Sequence, residues 1–186
     1  MYEIMLEIET TDIAEVKILK WKSVKDNRAL KSYTFSEREL QKANLSFHCV
    51  EESVYKIEKA NTLYGIHFQN NPKPHAKIVY CRKGKGIDFV VDLRRNSPTF
   101  KKWIKLQINS ESNIQVYIPH GFGHAFLSTE DDTHLVFRID DYFDENLSRS
   151  ISYKDKDLNI DFNVDNPVLS LQDMNAPFLC NSDCNL

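Results

Sequence analysis

Short runs in which apolar and polar residues alternate recur along the chain, the pattern of half-buried β-strands. Ala76-Lys77-Ile78-Val79-Tyr80-Cys81-Arg82 alternates and stops at Lys83-Gly84-Lys85-Gly86, a turn signal. Ile87-Asp88-Phe89-Val90-Val91-Asp92-Leu93 follows, so the two segments predict a hairpin. Lys102-Trp103-Ile104-Lys105-Leu106-Gln107-Ile108 and Asn113-Ile114-Gln115-Val116-Tyr117-Ile118 are further strands, closed by Asn109-Ser110-Glu111-Ser112 and by Pro119 with Gly121. Residues 123–127, 133–139 and the 4–18 region complete the strand set. One short helix is expected from Ser36 as N-cap to about Lys42 or Ala43, because Glu37 and Glu39 place carboxylates at its positive end. Many short strands separated by turns point to an all-β sandwich or barrel with few helices.

The length of 186 residues suits one domain over residues 1–186, and nothing in it reads as a repeat or linker. The last residues, 180–186, are polar and expected to fray. A net charge of -3 argues against a nucleic-acid partner. No run approaches the ~20 apolar residues of a membrane span, and the start carries no basic-then-apolar leader. A cytoplasmic enzyme or binding module is the expectation. Cys180 and Cys184 lack the second ligand pair of a zinc clip, so Cys49, Cys81, Cys180 and Cys184 read as reduced thiols.

Three segments carry candidate chemistry. In Gly65-Ile66-His67-Phe68-Gln69, strand alternation puts His67 and Gln69 on one face and Ile66 and Phe68 on the other. Lys77 falls on the following strand, where it can face the same space. A histidine titrates near neutral pH and suits proton abstraction, although a single strand histidine is as readily structural. In Pro119-His120-Gly121-Phe122-Gly123-His124 the glycines argue against a helix, and with it against a metal pair at His120 and His124. In Leu169-Ser170-Leu171-Gln172-Asp173 the aspartate either orients a histidine or caps a helix.

Taken in order, these blocks resemble the dTDP-4-dehydrorhamnose 3,5-epimerase family. They are Tyr64-Gly65-Ile66-His67-Phe68-Gln69, Ala76-Lys77, Asp92-Leu93-Arg94 with Ser97-Pro98-Thr99-Phe100, Ile118-Pro119 with Gly121-Phe122-Gly123-His124, Ile160-Asp161, and Leu169-Ser170 with Asp173. The resemblance runs from about residue 24 to residue 179. It implies a cupin, or double-stranded β-helix jelly-roll, fold. It also implies epimerisation of a nucleotide-linked 4-keto-6-deoxy sugar, with His67 as base, Asp173 as its partner and Lys77 holding the enolate. A 4-keto group acidifies the protons at C3 and C5, and a nearby cation stabilises the oxyanion formed. Neither metal nor redox cofactor is implied. Arg28 and His124 match positions that contact substrate in the family, and Tyr64, Gln69, Phe137 and Tyr142 join them as candidate binding residues.

The chain also departs from the family. Phe137 stands where the family has a proton-donating tyrosine, Tyr64 where it has an arginine, Glu52-Ser53-Val54 where it has Gln-Asp-Asn, and Gln172 where it has a lysine. The altered acid implies inversion at a single centre, C3 before C5, with water, Tyr142 or another group returning the proton. The alternatives are a cupin that binds nucleotide sugar without epimerising it and a sugar 3,4-ketoisomerase. The resemblance further implies a homodimer, with the 4–18 region as an edge strand offered to the partner, and dTDP, CDP or GDP as the sugar's carrier. It places the activity in deoxy-sugar supply for a surface polysaccharide such as O-antigen.

Overall fold

The computed structural model describes residues 5–186; Ile4 of the expected edge strand lies outside them. Thirteen strands and two short helices follow in order. They are β1 (Leu6–Thr10), β2 (Lys17–Trp21), β3 (Ser23–Lys25), β4 (Leu30–Ser32), α1 (Glu37–Lys42), β5 (Glu51–Ile57) and β6 (Leu63–Gln69). Then come β7 (Lys77–Lys83), β8 (Lys85–Asp92), β9 (Trp103–Asn109), β10 (Ile114–Ile118), β11 (Phe122–Ser128), β12 (Thr133–Ile139), β13 (Ser148–Ile151) and α2 (Leu171–Met174). Helix α1 begins where expected, with the Ser36 side chain accepting from the Glu39 amide.

Two antiparallel sheets face each other in a jelly-roll barrel. One runs β1-β2-β10-β7-β12-β5, the other β13-β6-β11-β8-β9, and β3 with β4 makes a separate ribbon. The expected hairpin between β7 and β8 is therefore corrected. Both strands exist, but Gly84, with φ +71°, turns the chain from the first sheet into the second. A turn motif marks a reversal and is silent about which sheet receives the returning strand.

Alternation along the strands fills three apolar layers. Ile57, Val79, Val90, Ile118, Phe126 and Leu135 pack between the sheets. The outer face of the five-stranded sheet presents Leu63, Ile66, Phe68, Phe89 and Val91 to Leu158, Phe162, Leu179 and Cys184 from the C-terminal segment. The outer face of the six-stranded sheet presents Leu19, Trp21 and Ile78 to Leu40 and Phe47 around α1. Strands covered on both sides, such as β8, consequently read as nearly continuous apolar runs.

The frayed tail expected over 180–186 is also corrected. Asn70 donates to the Asp183 carbonyl at 3.0 Å and accepts from the Asn185 amide at 3.1 Å. Arg95 holds the Cys184 carbonyl at 3.0 Å, and Arg149 pairs with Asp183 at 2.8 Å. Cys184 is buried and Leu186 packs on the same layer, so apolar side chains interspersed among polar ones anchor the segment. All four cysteines are free.

Asp92, at the end of β8, organises the loop that follows. Its buried carboxylate accepts from Arg94 at 2.7 Å, Ser97 at 2.5 Å and Thr99 at 2.5 Å. Burial pushes this carboxyl up, but the bonds from Arg94, Ser97 and Thr99 outweigh it and hold the group at about 2, against 3.8 when unfolded. The folded value is the lower one, so this contribution is complete above the unfolded value and is lost as pH falls towards 2. Asp92→Ala is expected to cost about 2–3 kcal/mol in a urea melt near neutral pH. The deficit relative to wild type should shrink in acid.

Candidate active site

The open end of the barrel contains a cavity of about 470 Å³. A bulge in β6 decides which side chains enter it. His67 pairs with His124, but Tyr64 pairs with Phe126, so three steps on β6 oppose two on β11. Gly65 and Ile66 thus occupy one pleat together. Regular alternation would put Tyr64 and His67 on opposite faces; the bulge brings both into the cavity with Gln69, while Leu63, Ile66 and Phe68 pack on the outer layer.

Gly65 has a second role. A Cβ built there would lie 2.5 Å from Asp173 Oδ1. The missing side chain opens a passage through which Asp173, on α2 outside the sheet, reaches His67 Nε2 at 2.6 Å. Ser170 caps α2 and donates to Asp173 Oδ2 at 2.8 Å. Burial pushes the Asp173 carboxyl up, yet His67, Ser170 and the Gly65 amide together hold it below the ordinary aspartate value. A carboxylate on Nε2 fixes the tautomer that carries its proton there, leaving Nδ1 with the lone pair. Gly65→Ala should displace Asp173 and lower turnover about 100-fold, since small misplacements of a catalytic group carry costs of that order. Turnover measured beside the urea midpoint checks it, with Asp173→Asn expected to lose a similar factor.

Lys77 and His124 form the floor. Lys77 is buried and reaches the His67 carbonyl at 3.3 Å. Burial lowers its ammonium from 10.5 to about 8, with Asp88 opposing the shift. His124 Nε2 meets the buried Asp88 at 2.6 Å. Burial also lowers His124 below the usual histidine value, which keeps it neutral near pH 7. A single cation therefore stands on the cavity floor beside His67. Asp88 was missed in the sequence reading, although an acidic residue on the inward face of an otherwise apolar strand was a signal for it.

Of the nine expected site residues, seven line the cavity: Tyr64, His67, Gln69, Lys77, His124, Phe137 and Asp173. Gln69 works as a tie, donating to the Lys73 and Tyr142 carbonyls and accepting from the Asp144 amide at 2.9 Å. The Tyr142 side chain is 64% exposed and does not line the cavity; Phe143 does. Arg28 sits on the β3–β4 turn, its side chain 82% exposed and bonded to Asp26 at 2.7 Å, and does not line the cavity either. His120 pairs with Asp140 at 2.9 Å, away from the partner of His124. Tyr55, Glu51, Ser53 and His75 are among the other residues that line the walls.

A jelly-roll barrel holding a histidine–carboxylate pair next to a buried lysine defines an enzyme of the cupin class built for proton transfer. The chain belongs to the dTDP-4-dehydrorhamnose 3,5-epimerase family, whose model matches residues 10–181. It is 31% identical over 179 residues to such an epimerase of Shigella flexneri, covering 96% of this chain and 98% of that one. The structure resembles the Bacillus anthracis family member with TDP and PPi bound, with a TM-score of 0.90 at 29% identity over 94% and 99% of the two chains. It also resembles a 3′-monoepimerase of Streptomyces bikiniensis in complex with dTDP-quinovose, with a TM-score of 0.85 at 32% identity over 92% and 87%.

Proposed function

We propose that this chain epimerises a dTDP-linked 4-keto-6-deoxy sugar at C3 alone. The observation that carries this reading is the His67–Asp173 pair at 2.6 Å facing the same cavity as the buried Lys77. His67 Nδ1 takes the proton from the carbon next to the ketone, and the Asp173 carboxylate balances the imidazolium that results. Lys77 stabilises the enolate oxygen, in surroundings dry enough for one ammonium to matter. The charge of the nearby Asp88 carboxylate favours that ammonium against burial. Reprotonation on the opposite face inverts the centre.

Support for a single centre comes from Phe137, which occupies the wall without a hydroxyl, and from likeness to a relative described as a 3′-monoepimerase. The nucleotide is read as dTDP because the similar structures hold TDP or a dTDP-sugar. A homodimer accounts for two exposed features. Strand β1 ends the six-stranded sheet with an open edge, and the β3–β4 ribbon carries Arg28 and the 62% exposed Leu30 away from the body. Arg28 would then meet the nucleotide of the partner's site, where a guanidinium can bind two phosphate oxygens. Among the described residues, no helix is long and apolar enough to cross a membrane.

The test is proton NMR of dTDP- and CDP-linked 4-keto-6-deoxyglucose incubated with the protein in D₂O. Loss of the C3 signal with appearance of the inverted sugar is the expected result. Exchange and inversion at C5 as well would remove the single-centre reading. A 3-keto product would assign a ketoisomerase, and binding without exchange would assign a sugar-binding cupin.

A further inference from the structure

Inversion needs an acid on the face of the sugar opposite the base. His67 stands on β6 of the five-stranded sheet, so the acid belongs to the wall formed by the six-stranded sheet. The cavity side chains of that wall come from β5, β7 and β12, with His75 just before β7. Phe137 and Ile139 carry no proton to give. His75 already meets the Tyr142 carbonyl at 3.0 Å, and burial lowers it below the ordinary histidine value. Lys77 is committed to the enolate oxygen. Ser53 is an aliphatic alcohol, far weaker as an acid than a phenol, and Glu51 stands at the first position of β5, opposite Ile139.

Tyr55 remains, and the geometry points to it as the general acid of the inversion. Its alternation with Glu51 and Ser53 along β5 turns the ring into the cavity. Two edge-on contacts hold the ring there. It lies 5.1 Å from Phe137 at an interplanar angle of 72° and 5.5 Å from Tyr64 at 80°. Phe137 in turn stands 5.4 Å from His124, the strand neighbour of His67, so Tyr55 is one ring away from the reacting region on the correct wall. Tyr64 also carries a phenol, but it shares β6 with His67 and would return a proton to the face it left. The phenol thus takes the place of the hydroxyl that Phe137 lacks, delivered from the neighbouring strand.

The step balances as follows. His67 accepts the proton of the C3–H bond, and the electron pair passes to the carbonyl oxygen as an enolate. The Tyr55 O–H bond then breaks, its proton forms the new C3–H bond on the opposite face, and the ketone is restored. The phenolate takes a proton from water, and His67 releases its own.

This assignment rests on the epimerase reading above, and exchange separates the two. In D₂O, Tyr55→Phe should still exchange the C3 proton through His67 at a rate within about threefold of wild type, while the inverted sugar forms about 100-fold more slowly or less. Tyr64→Phe should leave the ratio of inversion to exchange unchanged, and Phe137→Tyr added to Tyr55→Phe should restore inversion. Inversion by Tyr55→Phe within about threefold of wild type would overturn the assignment, as would loss of inversion in Tyr64→Phe with exchange intact. A wild type that exchanges nothing would overturn the epimerase reading and this assignment with it.

Discussion

His67→Asn is expected to abolish both solvent exchange and product formation, by about 1000-fold or more, the upper range for a positioned general base. The choice of asparagine matters. Its amide occupies part of the imidazole volume and can donate to Asp173, so the carboxylate that His67 meets at 2.6 Å keeps a partner. What is lost is the lone pair at Nδ1. A loss confined to turnover, with nucleotide binding measured by calorimetry unchanged, assigns His67 to chemistry and not to packing. Exchange surviving at a tenth of the wild-type rate or above would place the base elsewhere and remove the foundation of the proposed mechanism.

Lys77→Met is expected to lower turnover about 100- to 1000-fold, the effect of removing one donor from a developing oxyanion. Methionine fills comparable space without bringing a charge into the interior, so the fold should survive the exchange. The pH dependence gives an independent check. Burial sets the Lys77 ammonium at about 8, so wild-type kcat/KM should decline as pH rises through that value. The residual activity of Lys77→Met should lack that limb. Stability moves the other way: the folded value lies below the 10.5 of the unfolded chain, so the unfolded state binds more protons between them. The cost of burying Lys77 is therefore relieved as pH rises across that window.

Much of the framework was legible in alternation alone. The segment 133–139 coincides with β12, and those around Lys102 and Asn113 match β9 and β10 within a residue or two, because each is bounded by turn residues. The Ser36 cap located α1 for the same local reason. Pairing between sheets was not legible, since Gly84 permits a crossing as readily as a hairpin. The bulge at Gly65 and Ile66 was invisible, because its signal is a register mismatch with β11 and not a residue pattern. It is the reason Tyr64 joins His67 in the cavity.

The site was legible in a different way. His67 and Gln69 followed from strand alternation, whereas Asp173, distant in sequence, came into view through family resemblance. Tyr55 was missed because its strand, Glu51–Ile57, carries charged and polar residues and has no chemical motif of its own. The tail was misjudged because its polar composition conceals Cys184 and Leu186, which pack on the outer apolar layer.

The order of translation adds a consequence to the passage at Gly65. Every barrel strand, β13 included, precedes Asp173 along the chain. A nascent polypeptide can therefore assemble the barrel, with His67 and Lys77 already facing the cavity, while the aspartate is still being added. The orienting carboxylate is then threaded from outside as α2 docks. Messages broken before the codon for Asp173 would encode barrels whose proposed base nothing orients, and competence for catalysis follows assembly of the barrel.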